Sequence, residues 1–341
     1  MELLEKDNYM FTIGYATYNR KDCIVRRLNS LIAMDIPDNV EIIIVDNASS
    51  DGTFEAISDL TAGTKIRAYC NNENLGFAGN FVETLRRAKG DYVMWSSDED
   101  EINLGGIQNL FDWIGNKKFD VVFLNHYRKE KSKKLFPLRK NKTRIIECED
   151  LWRCSHLPGS VWNRSVALAN LNDWGKMKEI YPNISRYYPN LLLMIKLIPS
   201  FNSYFFNGYI AYQKDYEKSQ HVAQSGYQYP HLIPRWLQHN ELISFIELRI
   251  QKTEDIKNKK YLHKMHKSLN RNIYTYISTA IREENPSLYV YFSRSCSPIY
   301  IARRWYDLIK LVFKFLFDDP LLAIYKIKKR LKIRYTHNNK L

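Results

Sequence analysis

Short β-rich runs alternate with helix-like patterns over the first 125 residues, and this alternation constrains the fold more than any other feature. The run VEIIIVD at 40–46 is almost continuously β-branched, which is typical of a strand covered on both faces. The stretch 23–34 repeats its apolar residues at the spacing of a half-buried helix. The predicted strands are 11–15, 40–46, 65–70, 91–95 and 119–125. Because crossovers between such strands are right-handed, the pattern predicts an α/β fold with a doubly wound, mostly parallel sheet.

The helix after the third strand shows both a start and a stop signal. Asn80 and Glu83 have the spacing of a capping box, so the helix is predicted to begin at Asn80, and Gly90 is predicted to end it. Beyond about residue 126 the alternation loosens, although 204–213 reads as another strand. After about residue 221 the chain looks helical and polar.

Four consecutive acids, Asp98 to Glu101, follow the fourth predicted strand in a chain whose formal net charge is +14. Ligands of doubly wound sheets bind beyond the carboxyl ends of the strands, and Asp46 ends the second predicted strand at that same edge. Carboxylate oxygens are suitable ligands for Mg²⁺ or Mn²⁺. Taken alone, such an acidic run is more often a solvated loop than a metal site.

Three polar segments follow the other predicted strands: TYNR at 17–20, DNASSDGT at 46–53 and NLGFAG at 74–79. Each could be an ordinary turn with a helix cap. Gly76 and Gly79 would allow a ligand to approach the backbone closely, since glycine has no Cβ. The glycine-rich fingerprint of dinucleotide binding is absent after the first strand, so nicotinamide chemistry is disfavoured.

Together and in this order, these segments resemble family 2 glycosyltransferases, whose fold is called GT-A. The matching pieces are ATYNRKDCIVRRLNSL, VEIIIVDNASSDGT, NNENLGFAGNF and GDYVMWSSDEDEI. The resemblance covers residues 9 to 105 well and continues loosely through 155–168, which looks like the family's acceptor-side strand and helix. It implies transfer of a sugar from a nucleoside diphosphate, a UDP-sugar first among the candidates, to a hydroxyl of a glycan or lipid-linked glycan.

The resemblance also implies roles for particular residues. The family's D-x-D motif falls on Asp98-Glu99-Asp100, so Asp100 would bind Mn²⁺ or Mg²⁺, and Asp98 would face the ribose or the metal's water shell. Asp46 matches the aspartate that contacts the nucleobase or ribose. The remaining residues expected around the donor are Thr17, Asn19, Arg20, Asn47, Asn74, Gly76 and Gly79. The metal would neutralise the charge that develops on the departing diphosphate.

The catalytic base is where the chain departs from the family pattern. Inverting members place a Glu-Asp pair at the start of a helix beyond the acceptor strand, and its Asp takes the acceptor's proton. Here Tyr187 and Tyr188 occupy that place. Glu179 is the candidate base that we prefer, with Asp173 upstream and Asp215 and Glu217 downstream. A retaining mechanism without a dedicated base is the alternative.

Cysteine usage and hydropathy bear on the compartment. The five cysteines form no CxxC pair and no zinc-like spacing, which favours free thiols in a reducing compartment. The acidic amino-terminal stretch does not resemble a secretory signal, and no uninterrupted apolar run reaches about 18 residues. We therefore expect a cytoplasmic protein without a membrane-spanning helix.

The end of the chain carries nearly all of the positive excess. Residues 251–341 hold 20 Lys and Arg against 7 Asp and Glu, a net charge of 20 − 7 = +13. Within them, 303–317 and 321–335 place large apolar residues along a helical face among basic ones. Such helices are suited to an anionic membrane surface, so we expect peripheral binding to the inner face of the cell membrane. Packing on the domain or on a second subunit is the alternative, and nucleic acid is disfavoured because no binding motif accompanies the charge.

These features predict three parts of the chain. Residues 1–105 would form the nucleotide-sugar half of the GT-A domain, 106–220 the acceptor half, and 221–341 a basic helical extension. Two other functions stay open at this point. A sugar-nucleotide nucleotidyltransferase has a similar nucleotide fold, but usually a glycine-rich basic loop after its first strand, and YATYNRKD lacks those glycines. An inactive membrane-associated binding protein is the second.

Overall fold

The computed structural model describes residues 9–98, 100–115, 117–125, 127–128, 133–134, 143–145, 159–197, 202–213 and 232–269. By its internal contacts the chain divides into two compact units, residues 1–229 with 237–269, and residues 230–236 with 270–341. Every strand among the described residues belongs to the first unit. The second lies almost wholly outside the described residues, as do the predicted amphipathic helices at 303–317 and 321–335.

The first part of the chain alternates strands and helices as predicted. Its elements are β1 Phe11–Thr17, α1 Lys21–Ile32, β2 Val40–Asp46, α2 Thr53–Thr61, β3 Arg67–Cys70, α3 Gly76–Arg87, β4 Tyr92–Ser96, β5 Asp100–Ile102, α4 Leu104–Ile114 and β6 Val121–Leu124.

Shorter strands and a group of helices follow. They are β7 Tyr127–Arg128, β8 Lys133–Lys134, β9 Arg144–Ile145, β10 Ser160–Asn163, α5 Arg164–Ala169, α6 Trp174–Ile180, α7 Pro182–Tyr187, α8 Pro189–Leu197, β11 Ser203–Phe206, β12 Ala211–Gln213 and α9 Leu232–Lys252. Residues 256–269 form a further helix, α10. Within the described ranges, no helix is long and apolar enough to cross a membrane.

The main sheet has eight strands in the order β3-β2-β1-β4-β10-β6-β11-β9. Strands β3, β2, β1 and β4 are parallel neighbours, as are β6 and β11, whereas β10 runs antiparallel to β4 and β6. The predicted doubly wound, mostly parallel sheet is therefore confirmed. The stretch 204–213 is not one strand, because β11 joins the main sheet and β12 joins a small sheet with β5, β7 and β8.

Both faces of the sheet are buried, which explains the continuous apolar strands. Ile43 and Val45 of β2 face the cluster that contains α3 and α8, while Ile42 and Ile44 face the cluster that contains α1 and α4. At Gly14 of β1 the helix α3 comes so close that an added Cβ would lie 2.3 Å from the Thr84 methyl group. A larger residue at this position would therefore force the Thr84 side chain to move.

The predicted start of α3 at Asn80 is wrong, since the helix begins one turn earlier, at Gly76. Gly76 has a φ of +71°, which glycine adopts at little cost. Asn80 lies inside the helix and is buried, with a relative exposure of 3%. Its amide is used for tertiary contacts rather than for capping. A capping-box pattern and a buried polar residue in the second turn of a helix look alike in the sequence.

Candidate functional site

The loops after β1 and β2 are joined at the carboxyl edge of the sheet. Asn19 has a φ of +50°, and its backbone N–H donates to the Ser49 hydroxyl at 2.7 Å. Its side-chain oxygen accepts from the Ser50 N–H at 2.9 Å. The carbonyl of Thr17 accepts from the Asn47 N–H at 3.0 Å. Three of the predicted donor-site residues, Thr17, Asn19 and Asn47, are therefore held together.

Asp46 ends β2 and is fully buried. One carboxylate oxygen accepts from the Ser49 N–H at 2.8 Å, and the other accepts from the Ser49 hydroxyl at 2.5 Å. The Cys70 thiol lies 3.5 Å from the same carboxylate, and its pKa is raised, chiefly by burial and also by Asp46. Asp46 thus fixes the turn that presents the β2 loop. Its predicted contact with a nucleobase or ribose stays a prediction.

An asparagine network attaches α3 to this edge. Asn47 donates to the Asn74 side-chain oxygen at 2.7 Å and to the Gly76 carbonyl at 3.3 Å, and accepts from the Leu75 N–H at 3.0 Å. Asn71 then donates to the side chains of Asn47 and Asn80, both at 3.0 Å. The predicted residues Asn74, Gly76 and Gly79 therefore lie in or beside the start of α3, directly next to the β2 loop.

Asp98 and Asp100 belong to one tight turn after β4, and both are buried, with exposures of 5% and 2%. The Asp100 carboxylate accepts from the Ser97 N–H at 3.1 Å, and the Asp100 N–H donates to the Ser97 carbonyl at 2.9 Å. The Ser97 hydroxyl donates to Asp98 at 3.3 Å. Arg20, which precedes α1, donates its Nε–H to the other Asp98 oxygen at 2.6 Å. Glu99 lies outside the described residues.

The small sheet holds this acidic turn from the other side. Strand β12 pairs with β5, so that Tyr212 faces Glu101, and the Tyr212 hydroxyl donates to the Glu101 carboxylate. At Gly106 an added Cβ would lie 1.9 Å from the Tyr209 carbonyl oxygen, so α4 also approaches the segment before β12 closely. The turn is therefore part of a packed structure and is not a solvated loop.

A family model for glycosyl transferase family 2 matches residues 12–167. The chain carries a family 2 glycosyltransferase domain. A curated relative is the Escherichia coli enzyme UDP-Glc:alpha-D-GlcNAc-diphosphoundecaprenol beta-1,3-glucosyltransferase WfaP, 30% identical over 118 residues, which are 35% of this chain and 46% of that enzyme. Sequence similarity to TarS of Staphylococcus aureus, a poly(ribitol-phosphate) beta-N-acetylglucosaminyltransferase, spans 116 residues at 26% identity and only 20% of the relative.

Comparison with solved structures shows which fold this chain has. The crystal structure of TarS residues 1–349 in complex with UDP-GlcNAc superimposes with a TM-score of 0.59 at 17% identity, covering 81% of this chain and 75% of that one. A mannosyltransferase from Pyrobaculum calidifontis, in complex with GDP-Man and Mn²⁺, gives a TM-score of 0.50 at 15% identity and covers 89% and 80% of the two chains. At these identities the likeness shows the glycosyltransferase fold alone.

The acidic turn of this glycosyltransferase domain is chemically suited to a divalent cation such as Mn²⁺ or Mg²⁺. In the described part of the chain, no group of three or more His, Cys, Asp or Glu is placed to hold a metal alone. The turn instead offers two buried carboxylates, Asp98 and Asp100. Mg²⁺ is commonly bound by one or two carboxylates together with substrate phosphates and water, so a two-carboxylate site is chemically suitable.

Sequence reasoning missed a buried group behind these aspartates. Tyr15 of β1 pairs with Ser96 of β4 and is fully buried, and its pKa is raised above the ordinary value of 10.0 chiefly by burial. Nearby Arg27 opposes that rise, while Asp100 and Asp98 add to it. Arg27 is itself buried on α1, although it is basic. Arg27 lies three residues after Ile24, on the apolar face of the predicted helix. This position is the sequence signal that could have indicated a buried arginine.

Among the described residues, no hydrogen bond or ion pair joins Glu179 to the residues predicted to bind the donor. Glu179 is exposed on α6, whose buried residues Trp174 and Met177 face the core. Asp173 pairs with Lys196 at 2.5 Å. Asp215 and Glu217 lie outside the described residues. The identity of a catalytic base thus stays a prediction.

A helix from late in the chain supports the segment before Tyr188. The carboxylate of Glu241 in α9 accepts from the Asn183 side chain at 2.5 Å and from the Ile184 N–H at 2.8 Å, at the start of α7. Phe245 of the same helix packs edge-on against Tyr181. Helix α9 therefore fixes α7, which leads directly into α8.

Proposed function

We propose that this protein is a glycosyltransferase that moves a sugar from a nucleoside-diphosphate donor to a hydroxyl of a glycan or lipid-linked glycan, assisted by Mn²⁺ or Mg²⁺. One observation carries the proposal. Within a family 2 domain, Asp98 and Asp100 are buried in a single turn at the carboxyl edge of β4, in the sheet whose neighbouring strands end at Thr17 and Asp46. Buried carboxylates without such a use would be costly, because burial disfavours the charged form.

Each residue has a stated part in this reaction. Asp98 and Asp100 would hold the cation, which supplies charge neutralisation to the diphosphate as it leaves. Asp46, Thr17, Asn19 and the start of α3 with Asn74, Gly76 and Gly79 would enclose the nucleoside. For the acceptor proton we keep Glu179 as the candidate base, with a retaining mechanism as the alternative.

The donor, the metal and the acceptor are proposed from the relatives. TarS was solved with UDP-GlcNAc and the name of WfaP specifies UDP-Glc, so a UDP-sugar is the proposed donor. The mannosyltransferase from Pyrobaculum calidifontis was solved with Mn²⁺, which supports that ion as the first to test. The name of WfaP specifies a sugar linked to diphosphoundecaprenol, which supports a lipid-linked acceptor.

The proposal extends to the organisation of the chain. Residues 1–105 would bind the donor, 106–220 the acceptor, and 221–341 would dock on the anionic inner face of the cell membrane or on a second subunit. The excess of 20 Lys and Arg over 7 Asp and Glu in residues 251–341 supports the membrane. A lipid-linked acceptor would lie at that same surface.

The experiment compares Asp100→Ala with the native chain in sugar-nucleotide hydrolysis and transfer, using UDP-glucose and UDP-GlcNAc with Mn²⁺. Because the cation contributes several kcal/mol to charge stabilisation, we expect a loss of about a hundredfold or more. Asp59→Ala is the matched control, since Asp59 is exposed on α2. Equal rates for Asp100→Ala and the native chain would overturn the proposal, as would no turnover by the native chain with any nucleotide sugar.

A further inference from the structure

The ion pair between Arg20 and Asp98 occupies an oxygen that the proposed metal site needs. The Arg20 Nε lies 2.6 Å from Asp98 Oδ2, and the exposures of the two side chains are 14% and 5%. The second oxygen of Asp98 accepts a long hydrogen bond, 3.3 Å, from the Ser97 hydroxyl. A guanidinium therefore neutralises one of the two carboxylates of the turn directly.

A divalent cation that binds Asp98 would come close to the Arg20 guanidinium. Like charges repel, and the repulsion is stronger at a site removed from water than in bulk solvent. The described residues contribute only Asp98 and Asp100 as carboxylates, so few ligands offset that repulsion. As long as Arg20 stays on Asp98, a metal ion by itself should therefore bind weakly.

A nucleoside diphosphate would remove this obstacle. Its phosphates bring negative charge to the carboxyl edge of the sheet, where Arg20 immediately precedes α1 and can turn toward them. A guanidinium matches phosphate oxygens as well as it matches a carboxylate, because both accept paired N–H donors. Arg20 would then exchange a carboxylate partner for a phosphate partner, and Asp98 would become available to the cation.

We propose that Arg20 is a placeholder cation: it neutralises Asp98 in the absence of ligand and leaves it when the metal and the nucleoside diphosphate bind together. This proposal rests on the proposed function, because it assumes the cation site at Asp98 and Asp100. Arg20 is a positioning residue in this scheme. As a consequence of this exchange, the metal and the donor bind cooperatively, and each raises the affinity of the protein for the other by the same factor.

The test measures Mn²⁺ binding with and without UDP, by electron paramagnetic resonance of the free ion, in the full-length protein. Arg20→Met should bind Mn²⁺ alone about tenfold more tightly than the native chain, since the competing charge is gone. The factor by which UDP strengthens Mn²⁺ binding should fall by about as much. Arg20→Lys keeps the charge and should bind Mn²⁺ alone as weakly as the native chain.

Two controls make the outcomes decisive. Arg26→Met removes an exposed arginine from α1, the helix that Arg20 precedes, and should leave Mn²⁺ binding unchanged. Thermal unfolding checks that each variant is folded. If Arg20→Met leaves Mn²⁺ affinity unchanged or weaker, or if Arg20→Lys tightens it equally, the placeholder role is overturned while the metal site stands. If the native chain does not bind Mn²⁺ even with UDP, or if Asp98→Asn binds Mn²⁺ as tightly as the native chain, the metal site of the proposed function fails as well.

Discussion

Removal of the Asn80 side chain tests whether the buried amides hold α3 to the sheet. Asn80 donates to the Val45 carbonyl at 3.1 Å and to the Thr17 carbonyl at 3.4 Å, and accepts from Asn71 at 3.0 Å. Two good hydrogen bonds at about 1 kcal/mol each, and about 1 kcal/mol for a carbonyl left unpaired, give a loss of about 3 kcal/mol. The better helix propensity of alanine returns about 0.6 kcal/mol. We therefore expect Asn80→Ala to lower the free energy of unfolding by about 2–3 kcal/mol.

Urea denaturation followed by tryptophan fluorescence measures this loss. Asn80→Asp should destabilise at least as much, because it keeps the shape of the side chain but points an acceptor at two carbonyl oxygens and buries a carboxyl group. Asn29→Ala is the control, since Asn29 is exposed on α1 and its replacement should change stability by no more than about 0.5 kcal/mol. An effect of Asn80→Ala no larger than that of Asn29→Ala would refute the reasoning.

Two further predictions concern alkaline stability and the basic end of the chain. Burial raises the pKa of Tyr15 above the 10.0 of the unfolded chain, so stability is intact below about pH 10 and falls above it, by up to about 1.4 kcal/mol per pH unit. Tyr15→Phe should flatten this decline in urea denaturation between pH 9 and pH 11, and an unchanged slope would contradict the assignment. Truncation after Asp318 should release the protein from vesicles of anionic phospholipid in a flotation assay, with neutral vesicles as the control, and unchanged binding would exclude a membrane role for the tail.

The first 105 residues could be predicted because their signals are local. The run 40–46 is apolar at five of its seven positions, 40 and 42–45, and it forms β2 with the predicted bounds. Polar residues directly after strands must reach the same edge of a parallel sheet, so Asp46 and Asp98 could be placed there from the sequence alone. What the sequence could not show is how each side chain is used, as with Asn80, since its partners on β1 and β2 are 63 and 35 residues away.

Apart from the strand and helix expected at 155–168, the later half could not be predicted, because its structure depends on distant partners. Helix α7 has only six residues, and its first turn is satisfied by Glu241, 57 residues further along the chain. Strands β11 and β12 follow one another closely in the sequence yet join different sheets. Their placement depends on their partner strands, which are β6 and β9 for β11 and β5 and β7 for β12. No local pattern in an isolated sequence carries such information. The candidate base falls in this half, and Glu179 is chosen only as a nearby carboxylate, because Tyr187 and Tyr188 stand where the family has its acidic pair.

The acidic run in a basic chain has a physical explanation in the charges around it. Buried carboxylates at Asp98 and Asp100 repel one another and lose hydration, so they need compensation before any metal arrives. Arg20 supplies it by direct contact with Asp98. The buried Arg27 lies close enough to Tyr15 to oppose the effect of the two aspartates on the pKa of that residue. The two arginines come from the loop and the first turns of one helix, α1. The segment 17–28 therefore contributes both the loop that is proposed to face the nucleoside and positive charge beside the acidic turn. We expect a change in either arginine to affect metal binding and stability together.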